Sequence, residues 1–215
     1  IQTLTATIEA KDKYTEGHSR RVAYYVEKIA EKMKLAPSRI EDLKVAALLH
    51  DIGKIGIEDS ILRKPDKLID WEWEKIKQHP QIGIRILDEV AFNPVIKKAI
   101  LHHHERYDGG GYPDNLKGNE VSLDAYILGA ADAYDAMTSD RPYRKALSRK
   151  QAIYVIKRER GRQFHPRVAD VLIAILEKEQ EEVSKEIDED VKSLVKNDHY
   201  QYIKETAVTA ESHKE

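Results

Sequence analysis

The chain is predicted to fold as an all-α domain, on three observations. Apolar residues recur at helical spacing along most of the 215 residues. No run alternates apolar and polar residues as a strand does. Pro80, Pro94 and Pro166 stand at the starts of periodic segments, where a missing N–H costs least.

The elements follow in order. Ile1, Leu4 and Ile8 share one helical face, and Val22, Val26, Ile29 and Met33 share another. Pro37-Ser38 opens a third helix, carried on by Ile40, Leu43, Ala47 and Leu48. Further helices are expected over 71–79, 81–90, 93–106, 122–138, 149–160 and 166–182. The segment from Tyr107 to Glu120 holds Gly109-Gly110-Gly111, Pro113 and Gly118, and is the strongest loop signal in the chain. Loops of this length in a compact domain are commonly functional. From residue 179 the composition turns to Glu, Lys and Asp, while Val183, Ile187, Val191, Leu194 and Val195 keep a helical stripe. We therefore divide the chain into a domain over 1–178 and a charged helical tail over 179–215, frayed at its end. The stripe is open to two readings, a solvated helix packed on the core or a short homodimer contact through terminal helices.

Composition excludes several functions. There is no cysteine, so disulfides, thiolate metal sites and cysteine nucleophiles are ruled out. The net charge of −2 argues against bulk-charge binding to double-stranded nucleic acid or to a membrane surface. No apolar run approaches the ~18 residues that span a bilayer. The pattern is already helical at Ile1, which reads as a piece of a longer protein, soluble or membrane-tethered.

The chemistry lies in histidines and carboxylates. His50-Asp51 ends the apolar run Val45–Leu49, which should be buried, and buried polar groups without partners are costly. A metal ion resolves that cost. His102-His103-His104-Glu105 forms a second cluster between an apolar helix and the glycine loop. Consecutive residues cannot all face one ion, so two ligands and one bystander are expected. Asp132 and Asp135 lie among alanines, three apart, on one side of a helix and within a polar pocket. His18 and His79 are weaker signals by themselves. A sulfur-free set of imidazoles and carboxylates suits iron, manganese, nickel or zinc. It also exceeds the needs of one ion, and paired ions ~3.5–4 Å apart are a standard device for phosphodiester hydrolysis.

His50-Asp51-Ile52-Gly53-Lys54, followed by HHERYDGGGYP at 103–113, resembles the HD-GYP group of HD-domain phosphohydrolases. Supporting stretches are KDKYTEGHSRRV at 11–22, ILRKPDKL at 61–68, KQHPQIG at 77–83, ADAYDAMTSDRPYR at 131–144 and GRQFHP at 161–166. The resemblance implies a helical phosphodiesterase that hydrolyses cyclic diguanylate, a bacterial second messenger, to linear pGpG. By motif position it implies His18, His50, Asp51, His79, His103, His104 and Asp132 as ligands of two divalent metals, iron or manganese, with Asp51 bridging and His102 the bystander. Asp51 and Lys54 would act in catalysis, through metal-activated hydroxide. Lys54 would share a helical face with His50 if that helix continues. Arg141, Arg144, Tyr112 and Asp135 would contact substrate. The resemblance further implies a cytoplasmic domain, an upstream sensor or receiver domain, and a diguanylate cyclase as a partner. The alternatives are a metal-containing signalling module that binds such a partner, and a phosphohydrolase for another cyclic dinucleotide or a nucleoside triphosphate. Four positions depart from the group's pattern. Tyr14 replaces a glutamate that helps hold a third metal, with Glu16 nearby, so a third metal is not expected. His165, Tyr126 and Ser122 replace the usual Asp, Arg and Pro.

Overall fold

The computed structural model describes residues 1–12, 17–140 and 145–196. Ten α-helices cross that range. They are α1 (Gln2–Lys11), α2 (His18–Lys32), α3 (Pro37–Leu49), α4 (Asp59–Leu62), α5 (Asp70–Ile76), α6 (His79–Leu87), α7 (Pro94–His102), α8 (Leu123–Thr138), α9 (Arg149–Arg158) and α10 (Pro166–Lys196). Two 3₁₀ turns, Ile52–Gly56 and Gly118–Glu120, complete the secondary structure. Among the described residues the one β feature is an isolated bridge between Arg160 and Phe164.

The chain divides into two units, Ile1–Ile175 and Leu176–Glu215, the division falling inside α10. In the first unit α2 packs on α3 and α8, and α7 packs on α3, α6 and α8. Their shared core includes Val22, Val26 and Ile29 of α2, Leu43 and Leu49 of α3, Ile100 of α7, and Ile127 and Leu128 of α8. Full burial of each such side chain contributes ~1.5–3 kcal/mol. The second unit is described as the helical continuation of α10 to Lys196.

The helix expected over 93–106 stops at His102, and the chain leaves it by a turn. Gly111 shows how closely the returning loop then approaches. A Cβ there would lie 2.4 Å from the Arg106 amide nitrogen and 2.6 Å from the His104 carbonyl oxygen, so only glycine fits. The 3₁₀ turn after His50 also alters an expectation. Lys54 does not continue the α3 face of His50; it meets Asp51, three residues back.

Ser122, one of the departures, caps α8 by accepting the Ala125 N–H at 3.2 Å. The other two described departures meet each other: the Tyr126 and His165 rings lie 5.3 Å apart, and Tyr107 lies 5.3 Å from His165.

Candidate metal centre

Four helix ends converge on one point, and each brings an imidazole. His50 follows α3 and its Nδ1 lies 2.7 Å from the Ala47 carbonyl. His79 opens α6, 2.8 Å from the Ile76 carbonyl that ends α5. His103 follows α7, 2.6 Å from the Ile100 carbonyl. A carbonyl only accepts, so Nδ1 carries the proton in all three rings. The last carbonyls of a helix lack intrahelical partners, and here the rings supply them. His18 opens α2, and its Nδ1 is 2.7 Å from Asp135 Oδ2. Each ring is thus fixed with Nε2 turned inward as a lone-pair donor.

Those lone pairs need an acceptor of their own. His79 Nε2 and His103 Nε2 are buried and make no hydrogen bond. His18 Nε2 and His50 Nε2 face each other at 3.3 Å. Carboxylates fill the spaces between. Asp51 Oδ2 is 3.5 Å from His50 Nε2 and 3.9 Å from His18 Nε2, while its Oδ1 is 3.5 Å from His79 Nε2. Asp132 Oδ1 lies 3.3 Å from His18 Nε2. Among the described residues three groups suit a metal ion: His18-His50-Asp132, His79-His103-His104, and His50-Asp51-His103 between them. In each, the ligand atoms lie within 4.8 Å of one another. The buried Nε2 atoms of His79 and His103, left without a protein donor beside ionised carboxylates, fit a divalent cation.

The electrostatics prepare most of these groups to ligate. Burial pushes His79 down to about 4 and His104 down to about 3, and holds His103 well below the ordinary imidazole value. Burial pushes the Asp51 carboxyl up, but the Lys54 ammonium and the imidazoles of His50, His79 and His18 outweigh it and keep it ionised. Asp132 is likewise lowered, burial being overcome by the His18 hydrogen bond and by His50. His18 moves the other way. Burial lowers it, but the carboxylates of Asp132 and Asp135 outweigh burial and raise it to about 9.

A stability profile follows for the metal-free protein. His79 and His104 stay neutral when folded, while the unfolded chain takes up protons below an ordinary 6.5, so their contribution fades as pH falls towards about 4 and about 3. His18 contributes fully below 6.5 and loses its contribution as pH rises through about 9. The melting temperature of chelator-treated protein is expected to peak near about 6.5 and to fall on both sides. A monotonic rise from pH 4 to 9 in a thermal scan would contradict the charged His18.

Lys54 Nζ sits 2.7 Å from Asp51 Oδ2 and 3.2 Å from Asp12 Oδ2. Burial works against its charge, but the two carboxylates raise its pKa further, so it stays an ammonium. Tyr112 stacks on His104 with ring centroids 4.7 Å apart. Burial, with Asp132 and Asp51 nearby, raises its phenol, which stays neutral and able to donate. A cavity of about 210 Å³ opens beside the centre, lined by His103, His104, Asp132, Tyr126, Gln163 and Phe164 among others.

Among the expected site residues, His18, His50, Asp51, Lys54, His79, His103, His104, Asp132 and Tyr112 come together. His102 turns away to Asp114, at 3.0 Å. Asp135 lies behind His18 rather than in an open pocket: it is buried, and its oxygens face His18 and Arg21. Arg141, Arg144, Tyr14 and Glu16 lie outside the described residues. Three supporting residues were not anticipated as parts of this site. Asp12 holds Lys54, Arg21 holds Asp135, and the Glu9 carboxylate accepts the Gly17 and Ser19 amides at 3.2 and 3.3 Å beside His18. Glu9 lies within α1, where nothing in the pattern singles it out, and Asp12 directly follows that helix.

Comparison with known proteins identifies a family for the chain. Residues 2–168 match the HD domain family. The chain is 39% identical over 175 residues to the cyclic di-GMP phosphodiesterase response regulator RpfG of Xanthomonas campestris, covering 80% of this chain and 46% of that protein. It is 35% identical over 175 residues to the 3'3'-cGAMP-specific phosphodiesterase 2 of Vibrio cholerae, covering 80% of this chain and 34% of that protein. The chain thus spans less than half the length of either curated relative. Among solved structures, Bd1817, an HDG"Y"P protein from Bdellovibrio bacteriovorus, superposes with a TM-score of 0.63 at 21% identity, over 74% of this chain and 51% of that one, a likeness of fold. The chain belongs to the HD-domain family, and its Gly111-Tyr112-Pro113 loop puts it in the HD-GYP group.

Proposed function

We propose that this chain is a metal-dependent phosphodiesterase that opens cyclic diguanylate to linear pGpG, acting on the cytoplasmic side of a bacterial cell. One observation carries the reading: four tethered imidazoles turn Nε2 inward around Asp51 and Asp132, those of His79 and His103 with no hydrogen-bond partner, beside a charged Lys54. The RpfG and Vibrio cholerae relatives support a cyclic dinucleotide as the substrate class.

His18, His50, Asp51, His79, His103, His104 and Asp132 would hold two divalent ions, iron or manganese, with Asp51 placed between the two groups of imidazoles. Divalent cations there supply Lewis acidity to the phosphodiester and lower the pKa of water. The chain's own groups do the rest. The tethers at Nδ1 keep His18, His50, His79 and His103 in their ligating tautomer. Lys54 Nζ donates to a phosphoryl oxygen while Asp51 and Asp12 hold it in place. The neutral Tyr112 phenol offers a second donor above His104. The phosphorus takes its new oxygen from water, the bond to O3′ breaks, and the departing oxygen is protonated, leaving a 5′-phosphate. The working unit is taken as 1–178, with 179–215 appended as a tail, of which residues 197–215 lie outside the described residues.

Turnover measured side by side on cyclic diguanylate, 3′3′-cGAMP and a nucleoside triphosphate, with metal loaded under anaerobic conditions, tests the proposal. Fastest hydrolysis of cyclic diguanylate is expected; hydrolysis of the triphosphate alone would refute it. With Tyr14 in place of a carboxylate, a third ion lacks its ligand, and pGpG is expected to accumulate with slow or no conversion to GMP. Time-course chromatography with metal counting on the same sample checks this. Three tightly held ions together with rapid GMP formation would contradict it.

Arg141 and Arg144 are assigned to the substrate phosphates, since a guanidinium fork matches a phosphate edge. Arg141→Ala is expected to lower kcat/KM roughly ten- to a hundredfold, as loss of one charge-assisted contact does, with metal content unchanged. Loss of metal from that variant would refute the assignment.

A further inference from the structure

The Arg21–Asp135 pair lies behind His18. His50, His79 and His103 are tied to carbonyls of the helices that precede them. His18 has no such carbonyl, because it opens its helix. Its tether is a carboxylate from a distant part of the chain: Asp135 Oδ2, 2.7 Å from Nδ1. That carboxylate is itself clamped. Arg21, one turn along α2 from His18, donates from Nε to Asp135 Oδ1 at 2.6 Å and from Nη2 to Oδ2 at 3.1 Å. Ser139 completes the set with its Oγ 3.4 Å from Asp135 Oδ2.

We propose that Asp135, clamped by Arg21, is a positioning residue that fixes His18 as an Nε2 donor for the ion shared with His50 and Asp132. The inference rests on the metal-centre reading above. A carboxylate has two acceptors and no donor, so it holds the His18 proton on Nδ1 whichever way it turns. Arg21 then removes the freedom to turn. The chain places the one anionic tether where no helix carbonyl can serve, and an anion behind an imidazole strengthens it as a donor. The ion held by His18 is therefore sensitive to this pair. The ion held by His79, His103 and His104 is not.

An amide at 135 makes the arrangement testable. Arg21 Nε makes the shorter contact, so it retains the amide oxygen and turns the amide N–H towards His18. His18 Nδ1 must then accept, and the ring proton moves to Nε2, facing the ion. Manganese(II) binding is measured by equilibrium dialysis and elemental analysis on the wild type, Asp135→Asn, Arg21→Ala and the double variant, with melting of each metal-free protein. Wild type is expected to hold two ions. Asp135→Asn is expected to weaken one ion ~10–100-fold and leave the other unchanged. Arg21→Ala alone should weaken that same ion only a few-fold. In the double variant the amide is free to turn its oxygen to His18, and part of the lost affinity should return. A purely structural role predicts the opposite: both ions lost alike, with the two substitutions adding. That result, or two unchanged affinities in Asp135→Asn, overturns the proposal. If Asp135→Asn does not fold, Arg21→Ala decides alone: selective weakening of one ion supports the proposal, and no change at either overturns it. Absence of manganese binding in the wild type would instead sink the metal-centre reading and this inference with it.

Discussion

Asp51→Ala is expected to empty the centre and bring turnover of cyclic diguanylate to background, a loss of at least about a thousandfold, the scale on which removal of one preorganised electrostatic group is felt. Three relations of this carboxylate add together. Its Oδ1 faces His79 and its Oδ2 faces His50 and His18, so one side chain serves both groups of imidazoles. Its charge offsets the cost of gathering two divalent ions in a buried space. Its Oδ2 also sets the Lys54 ammonium at 2.7 Å, so the substitution leaves that ammonium with Asp12. His103→Ala is the informative comparison. It removes one neutral donor from the His79-His103-His104 group and should cut metal content first, with activity following. Elemental analysis and turnover on anaerobically loaded protein check both variants. Full activity in metal-replete Asp51→Ala would end the two-ion reading.

Gly53→Ala should be nearly as damaging, although residue 53 carries no functional group. Gly53 lies in the 3₁₀ turn between Asp51 and Lys54, pressed against the start of α6. A Cβ there would stand 1.8 Å from the His79 carbonyl oxygen and 2.5 Å from the Gly83 amide nitrogen. Both are backbone atoms and cannot rotate aside. The turn and α6 would have to separate, carrying Asp51 away from His79. Overpacking costs up to about 3 kcal/mol where side chains can adjust, and here they cannot. The melting temperature is expected to fall by roughly 6–12 °C or more, with loss of metal. Gly83→Ala is the control, because its Cβ would meet its nearest neighbours at 3.3 Å. If Gly53→Ala melts like the wild type and retains its metal, the close approach of turn and helix is wrong.

The helices were legible because burial of one face imposes a period on the sequence, and α2, α6 and α9 carry that period clearly. The short α4 and the two 3₁₀ turns were not, since segments of three to five residues hold too few apolar positions to show a period. The ligand residues were legible for a different reason. His and Asp at the end of an apolar run are an anomaly that demands a partner, and His50-Asp51 announces itself. The Nδ1 tethers were invisible because Ala47, Ile76 and Ile100 contribute backbone carbonyls, which any residue has. Asp135 was legible as a buried carboxylate, but its partner Arg21 is 114 residues away and its direction depends on how α2 packs on α8. Substrate contact was therefore the natural expectation for it, and the structure shows its oxygens occupied by His18 and Arg21. Lys54 shows a smaller failure of the same kind. A continuing α-helix would have placed it beneath His50, whereas the tighter turn delivers it to Asp51.

The tethers also bear on how such a centre responds to the rest of a longer protein. His50 and His103 are each bonded to the helix that carries them, and His79 to the helix end just before it. His18 is the exception, tied through Asp135 to α8. The other three rings therefore follow the helix ends that tether them. Sliding α7 against α3 by a few tenths of an ångström would change the separation of His103 and His50 by a similar amount. Bond lengths to metals tolerate little such change. The geometry of such a centre would thus depend on helix spacing, and a displacement at the end of one helix would alter the separation of its ligands.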